Sequence, residues 1–511
     1  MADLPLFRLT NTMTRRLEPL EPTERTADGR PLLRFYSCGP TVYSYAHIGN
    51  FRTFLTADLV VRTARALGWD VRYVSNVTDV GHLTEDDLAD GGGEDKMAKA
   101  LASKEGERFA NIWDLARHYT DALVADWEAL GLVEPDVRPR ATEHVREQIR
   151  AVEQLLASGH AYETADGVYF HVPSFPAYGA LSGNADADAL IENTRDTVRD
   201  DGKRDPRDFA LWKKDDAHLM QWHSPFAAGG GSGWGFPGWH LECSVMAQQY
   251  LGTTIDLHGG GEDLRFPHHE CEIAQAEALT GEPFARMWIH TRFLQVEGEK
   301  MSKSRGNFLT VRDLTQPDGR ADWGAPVDPL AVRLVLLSGH YSKPFNLTKK
   351  ALEDAAKNAA RYRDARRSAG ADAAPGEATS LGTDLASDYN AALAAMADDL
   401  NTPVALASAY RGAGRIVQAA RAGLSAPDAD AARGFLDRID DLLGIAPPGA
   451  PASPADDADD GLAAEVERLL ADRADARASK DWPRADTIRD ALAALGVEVT
   501  DTSAGPVWTR R

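Results

Sequence analysis

Cysteine, long apolar runs and positive charge are all scarce in this chain. Its 511 residues include three cysteines, Cys38, Cys243 and Cys271, which is too few for a disulfide framework. No stretch approaches the ~20 consecutive apolar residues that a membrane-spanning helix needs. The first residues also lack the basic start and apolar run of a signal peptide. We therefore expect a cytoplasmic protein that does not enter a membrane.

The net charge of −22 restricts the kinds of partner that the chain can bind. Broad, non-specific binding to nucleic acid needs a basic face and is excluded as a main activity. A specific nucleic-acid substrate stays open, because a local basic groove can lie on an acidic body. With 43% hydrophobic residues, the chain is long enough for about three or four domains with their own cores.

The first 75 residues alternate between strand and helix patterns. An apolar strand is predicted at 32–36, a helix at about 52–67 that ends at Gly68, and a second strand at 71–74. This β-α-β order is how a doubly wound parallel sheet begins, and ligands bind such sheets at the carboxyl ends of the strands. The predicted fold class is therefore α/β, with a Rossmann-like sheet.

Later segments show how this sheet is interrupted and resumed. Residues 105–160 have a mostly helical pattern, and 162–172 are predicted to form a hairpin. Residues 174–235 are rich in Asp, Gly and Pro, so we expect them to be irregular. The strand pattern returns at 254–258 and near 287–290.

From residue 330 to 445 the pattern is helical, and two Ala-, Pro- and Asp-rich stretches indicate loops or linkers. The predicted domains are a catalytic sheet domain in two halves at 1–126 and 211–290, a connective insertion at 127–210, a loop-bearing region at 291–345, a helical bundle at 346–445, a linker at 446–460 and a small α/β domain at 461–511.

Two short motifs, far apart in the chain, indicate chemistry on a nucleotide. Lys300-Met301-Ser302-Lys303-Ser304 places two lysines among small residues, which predicts a mobile loop that can close on a triphosphate. His47-Ile48-Gly49-Asn50 lies at a strand-to-helix corner, where the histidine can approach the α-phosphate from the other side. Such a pair would stabilise the charge that develops when an acid attacks ATP and pyrophosphate leaves. A similar string, Lys96-Met97-Ala98-Lys99-Ala100, lies among glycines and acids and is interpreted as a chance copy.

A possible metal site combines cysteines with a histidine and a carboxylate. Pro267 suits a helix start, so His268 and Glu272 at i and i+4 would face the same way. With Cys38 and Cys243 they would offer the N, S and O donors that zinc prefers. The spacing leaves Cys271 as an alternative to Glu272, since i+3 also lies near the His268 face, whereas His269 and Glu270 should point elsewhere.

Several longer segments carry a family resemblance. They are Cys38-Gly39-Pro40-Thr41-Val42-Tyr43, Arg140-Ala141-Thr142-Glu143-His144, Asp208-Phe209-Ala210-Leu211-Trp212-Lys213, the segment Gly-Trp-His-Leu-Glu-Cys-Ser at 238–244, and the run from His258 to Glu270. Together with the two short motifs, they resemble the cysteinyl-tRNA synthetases, a family of class I aminoacyl-tRNA synthetases. The resemblance covers essentially the whole chain.

The resemblance implies a reaction and its partners. The family activates L-cysteine with ATP to cysteinyl-adenylate and transfers it to the 3′ end of tRNA-Cys, with Mg²⁺ accompanying ATP. It holds one Zn²⁺ per chain with residues that match Cys38, Cys243, His268 and Glu272, not Cys271. A substrate thiolate can bind zinc and a serine hydroxyl binds poorly, so a discrimination of ~10⁴–10⁵ needs no editing. We expect a monomer.

The family's site residues carry over to positions of this chain. The implied catalytic residues are His47, Asn50, Lys300 and Lys303. The implied amino-acid and ATP contacts are Gly39, Thr41, Thr78, Trp239, Gly260, Asp263 and Lys303. The 291–345 region would contact the acceptor stem of the tRNA, and the 461–511 domain would bind the anticodon. The implied anticodon residues are Arg477, Trp482, Asp486 and Asp501, since arginine, carboxylates and an aromatic ring can read and stack unpaired bases.

Three departures from the family pattern stand out. Asn50 replaces a common histidine, and Phe236 stands where arginine is common before Pro-Gly-Trp. After Thr78-Asp79 the family commonly has an acidic pair and lysine, but this chain has Val80-Gly81-His82-Leu83.

Two other functions stay under consideration. One is a cysteine ligase of the mycothiol pathway, which resembles the synthetase core and joins cysteine to an amino-sugar; the 446–511 tail argues against it because that ligase reads no anticodon. The other is a tRNA-binding paralogue without activity, which the intact ligand set and both short motifs argue against.

Overall fold

A computed structural model of the chain describes residues 4–84, 93–183, 202–228, 233–302, 305–371, 373–445, 466, 468–470, 472–474, 476, 481–495, 497–502 and 505–510. The chain divides into two compact units, Met1–Pro447 and Pro448–Arg511.

The strands of the first unit are β1 (Arg8–Asn11), β2 (Arg16–Pro19), β3 (Glu24–Arg25), β4 (Pro31–Ser37), β5 (Asp70–Ser75), β6 (Ala161–Glu163), β7 (Gly167–Phe170), β8 (Phe209–Lys214), β9 (Trp222–His223), β10 (Trp234–Pro237), β11 (Ile255–Gly261), β12 (Ala285–Thr291), β13 (Leu294–Val296), β14 (Glu299–Lys300) and β15 (Phe345–Leu347). Its α-helices are α1 (Ile48–Ala66), α2 (Lys96–Leu101), α3 (Ile112–Ala129), α4 (Val145–Ser158), α5 (Trp239–Leu251), α6 (His268–Thr280), α7 (Val311–Thr315), α8 (Pro329–Leu337), α9 (Lys349–Gly370), α10 (Leu381–Ala397), α11 (Thr402–Ala420) and α12 (Ala426–Leu443).

The central sheet places parallel strands in the order β12-β11-β4-β5. Leu33, Phe35 and Tyr36 of β4 are fully buried, as expected of a strand that is covered on both faces. From β4 the chain crosses to β5 on one side and later to β11 on the other, so the carboxyl ends of β4 and β11 border a topological switch point. The predicted α/β class and doubly wound sheet are confirmed.

The insertion is built on an antiparallel sheet with the order β6-β7-β8-β10-β9. This sheet packs with α4 around a second core that includes Phe170, Phe209 and Trp212. The hairpin predicted at 162–172 is confirmed as β6 and β7. Strands β8 and β9 lie within 174–235 and β10 begins there, so the expectation of irregular structure is wrong for them. Short apolar strands between turn-rich stretches are hidden when composition is averaged over a long segment.

Two elements lie across or past the boundaries that are predicted for the insertion, which stay a prediction. Strand β10 pairs with β8 and ends at Pro237, past the boundary predicted at residue 210. Helix α3 crosses the boundary predicted at 127, and its Trp127 is buried in the first core. The second core also includes Leu241 and Val245 of α5 and Cys271 of α6, so packing continues across the predicted boundaries and sets no limit at them.

Helices α8 to α12 confirm the helical pattern predicted from 330 to 445. The Tyr362 hydroxyl of α9 donates to Asp440 Oδ1 of α12 at 2.9 Å. The buried Arg333 of α8 donates to the carboxylate of Asp58 on α1 and thereby joins these helices to the sheet domain. Strand β15 pairs with β13, which adjoins the segment that carries Lys300.

The second unit contains helix α13 (Trp482–Ala494) and an antiparallel hairpin of β16 (Val497–Thr502) and β17 (Gly505–Arg510). Val466, Leu470, Ile488 and Leu492 contribute to its core. The predicted helix start at Trp482 is confirmed, and the predicted linker at 446–460 lies outside the described residues. In the described part of the chain, every helix is too short or too polar to cross a bilayer.

Candidate active site

The side chains of the predicted metal site come from three elements that meet at the switch point. Cys38 directly follows β4, and its N–H donates to Gly259 O of β11 at 3.1 Å. Cys243 lies on α5, while His268 and Glu272 lie one turn apart on α6. All four side chains are buried.

The four side chains converge on a common point. Their ligand atoms all lie within 4.8 Å of one another. Cys38 Sγ is 3.7 Å from Cys243 Sγ and 3.4 Å from Glu272 Oε1, and His268 Nε2 is 2.8 Å from the same oxygen. A tetrahedral zinc ion with Zn–S bonds of ~2.3 Å holds two thiolates roughly 3.8 Å apart. The observed sulfur–sulfur distance therefore fits a zinc ion.

The electrostatics of the cluster also suit a cation. Burial by itself would raise the pKa of the Cys243 thiol, but the hydrogen bond with Cys38 and the charge of His268 lower that pKa to about 6. Burial likewise opposes ionisation of Glu272, yet His258 and His268 hold the pKa of that carboxyl well below its usual range. Burial and the hydrogen bond with Cys243 raise the pKa of Cys38 well above its usual value. Buried anionic donors of this kind are costly unless a positive charge compensates them.

Cys271 does not belong to the cluster. Its sulfur lies 3.5 Å from the Tyr178 hydroxyl, within the core of the insertion. Glu270 points elsewhere as predicted, because its carboxylate accepts from Gly179 N and Ser182 N, each at 2.8 Å. The spacing had left open whether Cys271 or Glu272 accompanies His268. The structure places Glu272 in the cluster and Cys271 outside it.

The expectation for His269 is wrong. Its Nε2 lies 3.4 Å from Cys38 Sγ, and its Nδ1 lies 2.8 Å from His290 Nε2. Helix α6 is buried on all sides in its first turns, so a residue next to His268 still faces the sheet. His258 was also missed; its Nε2 lies 2.6 Å from Glu272 Oε2 and fixes the orientation of that carboxylate. A second group of possible ligands, Cys38, His258, His269 and Glu272, therefore overlaps the first.

The predicted amino-acid contacts lie beside the cluster. Trp239 stacks on His268, with ring centroids 4.3 Å apart. Thr41 and Thr78 face each other across a parallel bridge between the segments after β4 and β5. Gly39 is required next to them, because a Cβ atom there would collide with the carbonyl oxygen of Asn76. Gly39, Thr41 and Thr78 thus lie on the segments that follow β4 and β5, and Trp239 lies against the cluster residue His268.

The two short motifs meet in space. His47 is the N-cap of α1, which therefore begins at Ile48, four residues before the predicted start. A Cβ atom placed on Gly49 would lie 3.0 Å from His47 Nδ1 and 3.4 Å from Met301 Cε. The side chain of Asn307 accepts a hydrogen bond from Ser302 N at 2.9 Å and donates one to Lys300 O at 3.2 Å. These two bonds hold the backbone of the second motif at Lys300 and at Ser302. Lys300 is exposed, and Lys303 lies outside the described residues.

Asn50 completes a capping box with His47. The N–H of Asn50 donates to His47 Nδ1, and the N–H of His47 donates to Asn50 Oδ1, each at 3.0 Å. On the nucleotide side, Gly260 lies at the end of β11 and the exposed Asp263 follows in the next turn. A Cβ atom on Gly260 would lie 2.7 Å from His269 Cε1, so glycine is needed there.

The predicted anticodon residues are described only in part. Asp486 is exposed on α13 and pairs with Arg489 at 3.0 Å. Trp482 is the first residue of α13 and Asp501 lies in β16, where the structure describes the backbone and not these side chains. Arg477 lies outside the described residues.

Family comparisons agree with this geometry. A family model described as the catalytic domain of tRNA synthetases class I (C) matches residues 27–357, and one described as the cysteinyl-tRNA ligase anticodon binding domain matches 459–508. The chain belongs to the cysteine–tRNA ligases, a class I family. An aminoacyl-tRNA synthetase binds tRNA, ATP and an amino acid.

Individual relatives span the whole chain. The cysteine–tRNA ligase of Salinibacter ruber is 56% identical to this chain over 524 residues, and the match covers 99% of each of the two chains. That of Deinococcus radiodurans is 41% identical over 516 residues, covering 99% of this chain and 97% of the relative. A solved structure of methionyl-tRNA synthetase from Mycobacterium tuberculosis, in complex with methionyl-adenylate, matches this chain with a TM-score of 0.52 at 16% sequence identity. The match covers 81% of this chain and 90% of the synthetase chain. This likeness shows a shared fold.

The capping box gives a prediction for Asn50. Asn50→Ala removes the acceptor for the His47 N–H and should lower the free energy of unfolding by about 1 kcal/mol. Asn50→Asp keeps an acceptor at the positive end of the helix and should stay within about 0.5 kcal/mol of the parent. Chemical denaturation of both variants, followed at the transition of the first unit, measures the difference. An equal loss in the two variants would contradict the capping role.

Proposed function

We propose that this enzyme activates L-cysteine with ATP to give cysteinyl-adenylate and pyrophosphate, and then transfers the cysteinyl group to the 3′ end of tRNA-Cys. The observation that carries the proposal is the buried cluster of Cys38, Cys243, His268 and Glu272 at the switch point of the sheet. The closeness of Met301 to the segment of His47 and Gly49 supports a nucleotide site near that cluster.

One zinc ion per chain would be held by Cys38, Cys243, His268 and Glu272, whose donor types and separations fit it. When bound, it would supply a Lewis acid that favours the thiolate of cysteine over the hydroxyl of serine. Glu272 is kept in place by His258 on its other oxygen, and His268 by His240 at 3.0 Å. These outer contacts orient the donors before substrate arrives.

The remaining residues position the substrates. Gly39, Thr41, Thr78 and Trp239 would surround the amino acid. His47, at the positive N-terminal end of α1, would face the phosphates from one side, and Lys300 and Lys303 from the other. Such preorganised positive charge stabilises the transition state of phosphate displacement without moving a proton. Mg²⁺ would accompany ATP.

Asn50 and the nucleotide contacts complete the assignment. The side-chain oxygen of Asn50 accepts a hydrogen bond from His47 N. The part of Asn50 in catalysis would therefore be to hold His47 in position. Gly260 would let the ATP approach the backbone closely, and Asp263 would bind the ribose. The reaction thus depends on positioning, which the class I fold supplies from several separate segments.

The second unit would bind the anticodon through Arg477, Trp482, Asp486 and Asp501. The match of residues 459–508 to an anticodon-binding family supports a tRNA substrate over an amino-sugar. The predicted division into sheet domain, insertion, stem-contact region, bundle, linker and anticodon domain is part of this proposal, as are a monomeric state and a cytoplasmic location.

The proposal is tested by cysteine-dependent ATP–pyrophosphate exchange, with serine as the comparison. Cys243→Ala removes a donor that the other three residues cannot replace, so the variant should lose zinc and more than about a hundredfold of its exchange activity. Cys271→Ala is the matched control, since this buried cysteine lies outside the cluster, and it should keep both zinc and activity. Full activity of a zinc-free Cys243→Ala enzyme would refute the metal role.

The anticodon role is tested on α13, where Asp486 and Asp490 are both exposed and both pair with Arg489. Asp486→Ala should lower kcat/KM for charging of tRNA-Cys by about tenfold, because a base contact is lost, and leave pyrophosphate exchange unchanged. Asp490→Ala should leave both reactions unchanged. If the two variants behave alike, Asp486 reads no base. If the enzyme joins cysteine to an amino-sugar and not to tRNA, the alternative function of a mycothiol-pathway ligase is favoured.

A further inference from the structure

The string Val80-Gly81-His82-Leu83, which departs from the family pattern, lies beside Thr41 and Trp239, two of the predicted amino-acid contacts. His82 is 7% exposed. Its ring stacks on Trp239, with centroids 3.9 Å apart and planes 10° apart. Trp239 also stacks on the cluster residue His268. His82 is therefore separated from the metal cluster by a single aromatic ring.

Both ring nitrogens of His82 have polar partners. Nδ1 lies 2.6 Å from Thr41 Oγ1, and Nε2 lies 2.5 Å from Lys96 Nζ. A lysine ammonium can only donate hydrogen bonds, so Nε2 accepts and the ring proton lies on Nδ1. The ring then donates to Thr41 Oγ1, and the hydroxyl proton of Thr41 is directed to a different acceptor.

Lys96 reaches this position because its segment is anchored beside His82. Lys96 N donates to His82 O at 3.0 Å, and Leu83 and Asp95 form an antiparallel bridge. Asp95 caps helix α2 through Ala98 N, and Met97 is fully buried beneath it. The string at 96–100 thus forms a helix and not a loop that closes on phosphates, yet it brings its first lysine against His82 and Trp239.

We propose that Lys96 and His82 are positioning residues that set the Thr41 hydroxyl to bind the carboxylate of the cysteine substrate. A hydroxyl that offers its proton matches a carboxylate, which accepts, and not an ammonium, which donates. The positive charge of Lys96 favours the same end of the amino acid. The carboxylate is the group that attacks ATP in the proposed function, on which this inference rests, so its orientation bears directly on the rate.

Lys96→Met tests this chain of contacts in the pyrophosphate exchange reaction. Loss of one charge-assisted contact should raise KM for cysteine about tenfold and change KM for ATP by less than about twofold. Lys99→Met is the matched control: Lys99 lies on the same helix, is 63% exposed and pairs with Glu94 at 3.1 Å. It should behave as the parent enzyme. Lys96→Arg, which keeps a donor, should restore most of the affinity for cysteine.

His82→Phe separates ring stacking from hydrogen bonding. It keeps an aromatic ring against Trp239 and loses both polar contacts, so it should match Lys96→Met, and the double variant should be no worse than either single one. A His82→Phe enzyme with the parent's KM for cysteine would overturn the proposal.

Cysteamine, which lacks the carboxylate, identifies the substrate group concerned. Its inhibition constant in the exchange reaction should be the same for the parent and for Lys96→Met. Equal weakening of cysteamine and cysteine, or no weakening of cysteine in an active enzyme, would overturn the inference. Absence of cysteine-dependent exchange in the parent enzyme would instead contradict the proposed function itself.

Discussion

The active site depends on the burial of two thiols, an imidazole and a carboxylate around one point. Cys38, Cys243, His268 and Glu272 lie in the interior with their ligand atoms within 4.8 Å of one another. Without a cation, ionised donors at this depth would be strongly unfavourable. In the proposed function a zinc ion would compensate these donors, and the site would then distinguish a thiol from a hydroxyl on the incoming amino acid. This need to hold buried donors in place explains the surrounding histidines, which form hydrogen bonds with His268 and Glu272.

The fold brings this cluster and the nucleotide site to the same edge of the sheet. Cys38 follows β4 and is held by Gly259 of β11, so the cluster lies at the point where the strand order changes direction. His47 begins the helix that follows the same strand. One strand therefore leads to both the cysteine–histidine cluster and the His47 motif, as the proposed function requires of an enzyme that joins an amino acid to the α-phosphate of ATP. The pair of His82 and Lys96 lies beside Trp239, which stacks on the cluster residue His268.

Much of this architecture could be predicted from the sequence. Strong local patterns gave the β-α-β start, the hairpin at 162–172 and the helices from 330 to 445, and the i, i+4 relation placed His268 beside Glu272. Strands β8, β9 and β10 were missed because these short strands are separated by turn-rich stretches, and the average composition of the long segment hides them. His269 was misplaced because helical periodicity assumes a single buried face, whereas α6 is covered all round. The position of Lys96 beside His82 was not predicted, because contacts between these two segments leave no pattern in the local sequence.

The most direct test of the account is metal analysis of the purified chain, followed by visible absorption of the cobalt-substituted protein during titration with cysteine and with serine. The account predicts one metal ion per chain and a thiolate-to-cobalt absorption band that grows with cysteine alone, because a third thiolate joins the two that the chain supplies. A fully active protein without bound metal, or a spectrum that responds alike to both amino acids, would contradict it.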